Sequence, residues 1–386
     1  MAQPMDARTL SKLYAIDGPF VTIYLATPSD TEDAAEQLET RWKNVVRDLR
    51  DASLDEATID ALTAARGDHG RGGTRVLVAA HGTVQLAMSL PQPPPQEVLV
   101  TGQLPRLVPL LDAIKLQIPH VVVLADRTGA DVLAYTSGPD PVEAESITSD
   151  RFPSRKVHAG GWSSLRYDHD VEETWDKSAR DVAGLVERVA RDIDARLVLA
   201  SGDERALQLL GQHLPTHLID AFVEIGGGGR ARDGSEGVIA DEVLRVLADT
   251  VAADTVELLE KYAEARGQDA APAERAPHLG GGRGGGRAAE GVAATIEALR
   301  KGQVETLVLT DTRDSDRTAF FGPDAAHVAV TAQALLDLGV EQPWEAPLDE
   351  VLVRSALLTG ADVRFVGGGM EQAPAEGVGA LLRYAD

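Results

Sequence analysis

Two periods of apolar residues alternate along this chain and mark out its elements. Phe20–Ala26 (FVTIYLA) is a short apolar run that predicts a strand. Ala35, Leu38, Trp42, Val45, Val46 and Leu49 then recur at helical spacing and predict a helix over Thr31–Arg50. Thr74–Ala80 and Thr83–Ser89 predict a hairpin turning at His81-Gly82. Prolines at Pro91–Pro95, Pro105 and Pro109 mark a rim loop, and residues 1–117 read as one α/β domain. His120–Ala125 and Ala130–Thr136 predict strands split by the turn Asp126-Arg127-Thr128-Gly129. A polar loop follows. Val171, Trp175, Ala179, Val182, Val186, Val189 and Ile193 then predict a long helix from Val171 to Asp194. Strand Leu197–Ala200, helix Glu204–Leu214, strand Ala221–Ile225 and a second long helix over Gly237–Arg266 complete a middle domain, 118–267.

Residues 268–287 (QDAAPAERAPHLGGGRGGGR) lack apolar periodicity and read as a flexible connector. Beyond them, helix Glu290–Lys301, strand Thr306–Thr310, helices Ala326–Asp337 and Leu348–Leu358, and strands Asp362–Val366 and Ala380–Tyr384 predict a compact α/β/α sandwich in 288–386. The expectation is an α/β protein of three domains.

Composition narrows the chemistry. Among 386 residues there is no Cys, which removes disulfides, cysteine-based metal sites and thiol nucleophiles, and fits a reducing cytoplasm. No apolar stretch approaches the roughly 20 residues of a membrane span, so a cytoplasmic, non-membrane protein is expected. Asp and Glu number 61 against 37 Lys and Arg, a formal charge of −24. Such a chain is repelled by nucleic acid as a whole and is no generic DNA binder. Screening acts over about 8 Å, however, so a local cationic loop still matters at contact.

No P-loop, HExxH, GxSxG or EF-hand string occurs. The Gly-rich Gly280–Arg287 follows no strand and lacks the Lys-Ser/Thr pair, so it reads as linker. His213 and His217 are four apart, but Pro215 breaks the helix that would align them as metal ligands. Asp311, Asp314 and Asp316 read as a solvated turn. Neither a metal nor another cofactor is expected.

One segment stands apart. Arg151–Tyr167 (RFPSRKVHAGGWSSLRY) carries Arg151, Arg155, Lys156 and Arg166 and no acid, although Asp150, Asp168 and Asp170 flank it. Gly160-Gly161 permits close backbone approach to another surface. Trp162 stacked on a base is worth about 1–3 kcal/mol. From composition alone, RNA contact and a loop whose Trp162 tucks onto its own core are equally compatible.

His158-Ala159-Gly160-Gly161-Trp162-Ser163-Ser164-Leu165-Arg166-Tyr167, running into a long helix, resembles the middle-domain tip of archaeal and eukaryotic class-I release factors. Their tip reads Gly-Gly-Gln, then Ser, then an Arg-aromatic pair. The stretch Gly291–Leu299 followed by Lys301-Gly302-Gln303-Val304-Glu305-Thr306-Leu307 is similar to the release-factor and Pelota C-terminal domain, which engages a translational GTPase. The resemblance covers about residues 150–386, and the first domain only by position.

The departures redirect the function. Trp162 stands where the family has its catalytic Gln, and an indole offers one N–H donor and no acceptor. The resemblance therefore implies no peptide release and no enzyme. The stop-codon readers Asn-Ile-Lys-Ser and Tyr-x-Cys-x-x-x-Phe are absent as well. A release-factor body without reading or cutting ends resembles the Balon-type family of bacterial ribosome hibernation factors, whose Ala- and Arg-rich actinobacterial members this composition suits. That resemblance implies occupancy of the 70S A site together with elongation factor Tu. Arg155, Lys156, His158, Gly160, Gly161, Trp162, Ser163, Ser164 and Arg166 would face rRNA. The alternatives are a peptidyl-tRNA hydrolase using His158 and Ser163, and a Pelota-like factor that rescues stalled ribosomes.

Overall fold

A computed structural model describes residues 7–28, 33–67, 73–90, 98–115, 117–126, 129–136, 141–148, 162–228, 236–267, 286–310 and 316–384. They form two compact units: Leu116–Ala252, and Met5–Lys115 together with Ala253–Asp386. Helices and strands alternate through both, as in an α/β protein.

The N-terminal part holds α1 (Ala7–Ser11), β1 (Phe20–Thr27), α2 (Ala34–Asp51), α3 (Glu56–Ala65), β2 (Gly73–Ala80), β3 (Thr83–Leu90), β4 (Val98–Gly102) and α4 (Val108–Ile114). Its antiparallel sheet runs β3-β2-β1-β4. Strand alternation sends Val21, Ile23 and Leu25 into one core with Leu38, Trp42, Ile59 and Leu62 of the helices. Phe20, Tyr24, Val76 and Val78 line the opposite face. β4 and α4 lie in the stretch the prolines suggested was loop. Pro109 falls in the first turn of α4, where proline fits a helix, so it opens the element rather than breaking it.

In the middle unit β5 (His120–Asp126), β6 (Gly129–Tyr135), β7 (Glu143–Thr148), α5 (Trp162–Asp192), β8 (Leu197–Gly202), α6 (Glu204–His213), α7 (Thr216–Ile219), β9 (Phe222–Glu224) and the start of α8 (Glu236–Gly267) follow in order. The sheet runs β7-β6-β5-β8-β9, with β5, β8 and β9 parallel. Val121 and Val123 of β5 pack under α5 and α6, while Val122 faces Ile239, Val246 and Leu247 of α8. β7 (EAESIT) was not foreseen, because its alternation lies among polar residues. α5 begins nine residues before the position its apolar stripe indicates. No Gly or Pro lies between Gly161 and Val171 to delay it, and its first turns are simply too polar to register as periodic.

The C-terminal part adds β10 (Ala288–Glu290), α9 (Gly291–Arg300), β11 (Val304–Thr310), β12 (Thr318–Phe321), β13 (Val328–Ala329), α10 (Ala332–Leu336), β14 (Trp344–Pro347), α11 (Leu348–Leu358), β15 (Asp362–Val366) and β16 (Val378–Leu382). The sheet β10-β16-β11-β15 lies between two helical layers. Leu307 and Leu309 face α9 and α11, and Val308 faces Leu259 near the end of α8. Where a helix over Ala326–Asp337 was expected, the chain makes β13 and then the short α10. Val328-Ala329-Val330 favours extended backbone, and Thr331 caps the helix by accepting from Ala334 N–H. β12, β13 and β14 form a separate small sheet.

One continuous core joins the two parts of this second unit, running from Leu10, Val76 and Leu110 to Leu299, Leu307 and Leu352. Within it α11 is buried almost all round, its polar Glu350, Arg354 and Ser355 included. α4 has Leu107 at its N-cap, a side chain unable to cap. Glu350 does it instead, accepting from the N–H groups of Leu107 (2.9 Å) and Val108 (3.1 Å). Burial, then the nearby Asp349, pushes the Glu350 carboxyl up to about 8, against the lowering from its two N–H donors and Arg106.

Candidate functional site

The cationic segment singled out in the sequence leaves β7 and returns into α5. Arg155, Lys156, His158, Gly160 and Gly161 lie outside the described residues. Trp162 is the first residue of α5, and Ser163, Ser164 and Arg166 follow within its first two turns. These four therefore belong to a helix, not to a loop, and one element carries them together. Their side chains lie outside the described set.

How α5 is held decides where that helix start is presented. Its buried residues among those described begin at Ala179 and run through Val182, Ala183, Val186 and Val189 to Ala190. Seventeen residues separate Trp162 from Ala179, about 26 Å along a helix at 1.5 Å per residue. Among the described residues of α5 the apolar grip acts on its C-terminal half, and the candidate residues lie at its N-terminal end.

Polar contacts supplement the grip. Asp176 receives His213 Nε2 of α6 at 2.6 Å and Arg180 of its own helix at 2.7 Å. The contact with His213, more than that with Arg180, lowers the Asp176 carboxyl below its ordinary range. Arg188 reaches Glu143 (3.2 Å), Glu145 (2.7 Å) and Asp192 (3.6 Å). Glu143 and Glu145 are two apart on β7 and so share a face, which lets one guanidinium meet both. Arg188 accordingly pins α5 to the strand from which the segment departs. Sequence reasoning missed this clamp, because Glu143 and Arg188 are 45 positions apart and β7 was read as loop.

At the carboxyl end of β5 a crevice of about 30 Å³ lies between α5, α6 and Gly129, lined by Asp126, Ser178, Val182 and Arg205. It has room for about one water, far below the several hundred Å³ of a substrate pocket. His213 closes α6 and is engaged by Asp176, and His217 lies in α7 beyond Pro215. Among the described residues no three His, Asp or Glu gather as a metal site would require. Asp311 and Asp314 lie outside the described residues. Among the described residues, too, no helix is long and apolar enough to cross a membrane.

Residues 119–268 match the model of Bacterial archaeo-eukaryotic release factor family 2. The Mycobacterium tuberculosis protein Rv2629 is 30% identical over 386 residues, covering 99% of this chain and 97% of that one. Among solved structures, Archaeoglobus fulgidus Pelota is 12% identical, with 100% of this chain and 94% of that chain covered at a TM-score of 0.37. Saccharomyces cerevisiae Dom34, a translation termination-like factor, is 10% identical, covering 99% and 94% at 0.39.

Proposed function

This chain belongs to the bacterial archaeo-eukaryotic release factors, and on that premise we propose that it binds the ribosome and acts there as a hibernation factor, by occupancy and without peptide release. What carries the reading is the acid-free segment Arg151–Tyr167, with four cations in a chain of net charge −24, running into the start of a long helix.

In this mechanism the middle unit reaches toward the peptidyl transferase centre. Arg155, Lys156 and Arg166 meet rRNA phosphates, with His158, Ser163 and Ser164 beside them. Gly160 and Gly161 let the backbone come close, and Trp162 stacks on a base or plugs the space for water. With no amide at position 162, no water is placed for ester cleavage. The C-terminal part meets a translational GTPase, elongation factor Tu. Roughly 3–5 phosphate contacts give a modest salt dependence, a slope of about −2 to −5 in log–log form.

Co-sedimentation with vacant 70S ribosomes, with and without elongation factor Tu, tests the reading. Stoichiometric pelleting is expected. Trp162→Ala and Arg155→Ala/Lys156→Ala should each weaken it about tenfold, and the GTPase should strengthen it. Free subunits in the gradient would point instead to a rescue factor. Cleavage of peptidyl-tRNA that His158→Ala abolishes would point to a hydrolase.

A further inference from the structure

The small sheet of β12, β13 and β14 closes its own core with Phe320, Ala329, Leu335 and Val340. Outside that core stand Val330, Leu336 and Leu338, exposed to 52%, 44% and 47%. Three half-exposed aliphatic side chains thus lie within nine residues, outside that core.

They sit on a rigid ledge. Thr331 caps the start of α10, and Gly339, at φ +87°, closes its end with Val340 N–H donating to Leu335 O at 3.0 Å. Arg354 donates to the carbonyls of Pro323 and Asp324, and Ser355 to that of Ala325, tying the loop that leads into β13 to α11. A surface held this way is preformed, so little ordering is needed on binding.

Charge says what the ledge fits. Between Arg317 and Arg354 the sequence has no Lys or Arg, while Asp324, Asp337, Glu341, Glu345 and Asp349 are acidic. Arg354 is buried, and Arg317 donates to the Glu376 carbonyl. Asp337, Glu341 and Glu345 form no ion pair among the described residues; Asp337 accepts only from Gln333, and Glu345 from Thr318. An apolar patch rimmed by unpaired acids repels phosphate, so RNA is a poor occupant. A second copy would set acid against acid across a two-fold axis. The complement is a protein with an apolar centre and a Lys/Arg rim.

We propose that the ledge of Val330, Leu336 and Leu338 is a docking surface for a basic protein and, because this rests on the ribosome-binding reading above, that the occupant is a ribosomal protein. The molecule then meets the ribosome through two surfaces of opposite charge, a cationic one for RNA and an acidic, apolar one for protein.

The test places p-benzoylphenylalanine at position 336 of the full chain, and at exposed Glu260 as control, with irradiation on purified 70S ribosomes to which elongation factor Tu has been added. Pelleting is read before crosslinking. The expected result is one adduct with a basic ribosomal protein from position 336 and none from 260. Its yield should fall at least fivefold in Asp337→Asn/Glu341→Gln/Glu345→Gln and with rising salt. Val330→Asp/Leu338→Asp, both at exposed positions, should lower 70S affinity about tenfold while leaving the unfolding midpoint unchanged. A chain that pellets yet crosslinks to rRNA, to elongation factor Tu, to a second copy or to nothing overturns this inference and leaves ribosome binding standing. A chain that fails to pellet overturns the ribosomal reading and this partner with it.

Discussion

In the second unit Glu350 is 1% exposed and caps α4 from another helix; in the middle unit Arg188 reaches two glutamates of β7 from a side chain 44% exposed. Both tie one element to another through carboxylates at hydrogen-bond distance. The surroundings make them different devices. Removed from water, Glu350 titrates far above its ordinary range, and removing it orphans the buried N–H of Leu107 and the half-buried N–H of Val108. Arg188 stays hydrated, and its exposed pairs contribute little to stability, though they fix a direction. Burial turns a charge into a determinant of folding, whereas exposure leaves it able to aim an element.

The largest effect expected in the middle unit comes from backbone rather than charge. Gly202 ends β8 at φ +146°, and a Cβ there would lie 1.7 Å from the carbonyl oxygen of Ala125. Ala125 also accepts from Asp203 N–H at 3.0 Å, so neither strand can give way without losing that bond. Gly202→Ala should cost about 3 kcal/mol or more in urea unfolding, with faster hydrogen exchange in β5 and β8. A neutral outcome would mean that the middle unit tolerates separation of its central strands, and its rigidity would then have to come from the exposed charges after all.

Glu350→Ala comes next, at about 2–4 kcal/mol, read as lost stability and faster exchange of the α4 amides. Glu350→Gln isolates the charge. Because the folded carboxyl titrates near 8 against an ordinary 4.5, the folded state holds the extra proton between those values, and stability falls as pH rises through that window. The carboxyl faces Asp349, Arg106, Tyr14 and Tyr24. Subtracting Glu350→Gln stabilities from wild type at pH 5 and pH 8 should leave a loss on the order of several kcal/mol at the higher pH. A flat difference would place Glu350 in a wetter site and erase the contrast with Arg188.

Legibility followed the same division. Strands such as Phe20–Thr27 and helices such as α11 stood out because their apolar residues keep one period. β7 and the first nine residues of α5 did not, since a polar strand and a polar helical turn look alike without their neighbours. The small sheet was missed because β13 is two residues long, too short for a period to show. At the candidate site, composition pointed to the cationic segment, and only the fold revealed that Trp162 heads a helix. Glu350 gave no sign. In LDEVLVRSALL a glutamate beside Asp349 reads as solvated surface, and the fact that α4 lacks a capping side chain of its own appears only when α11 lies against it.

The smallest expected stability effect is the sharpest test of what exposed charge does. Arg188→Ala removes contacts to Glu143, Glu145 and Asp192, all at the surface, and should change the unfolding free energy by less than about 1 kcal/mol. If the clamp fixes the base from which residues 149–161 depart, 70S binding should nonetheless weaken by about threefold. Arg188→Lys should restore only part of it, since an ammonium is a single point charge where the guanidinium spans two carboxylates. Raising salt on the wild type should weaken the clamp in the same direction, because exposed pairs are screened within about 8 Å at physiological ionic strength. Binding and stability that fall together would make Arg188 one more packing residue. A binding loss at constant stability means that the acidic strand and the cationic helix end are aimed by the same side chain.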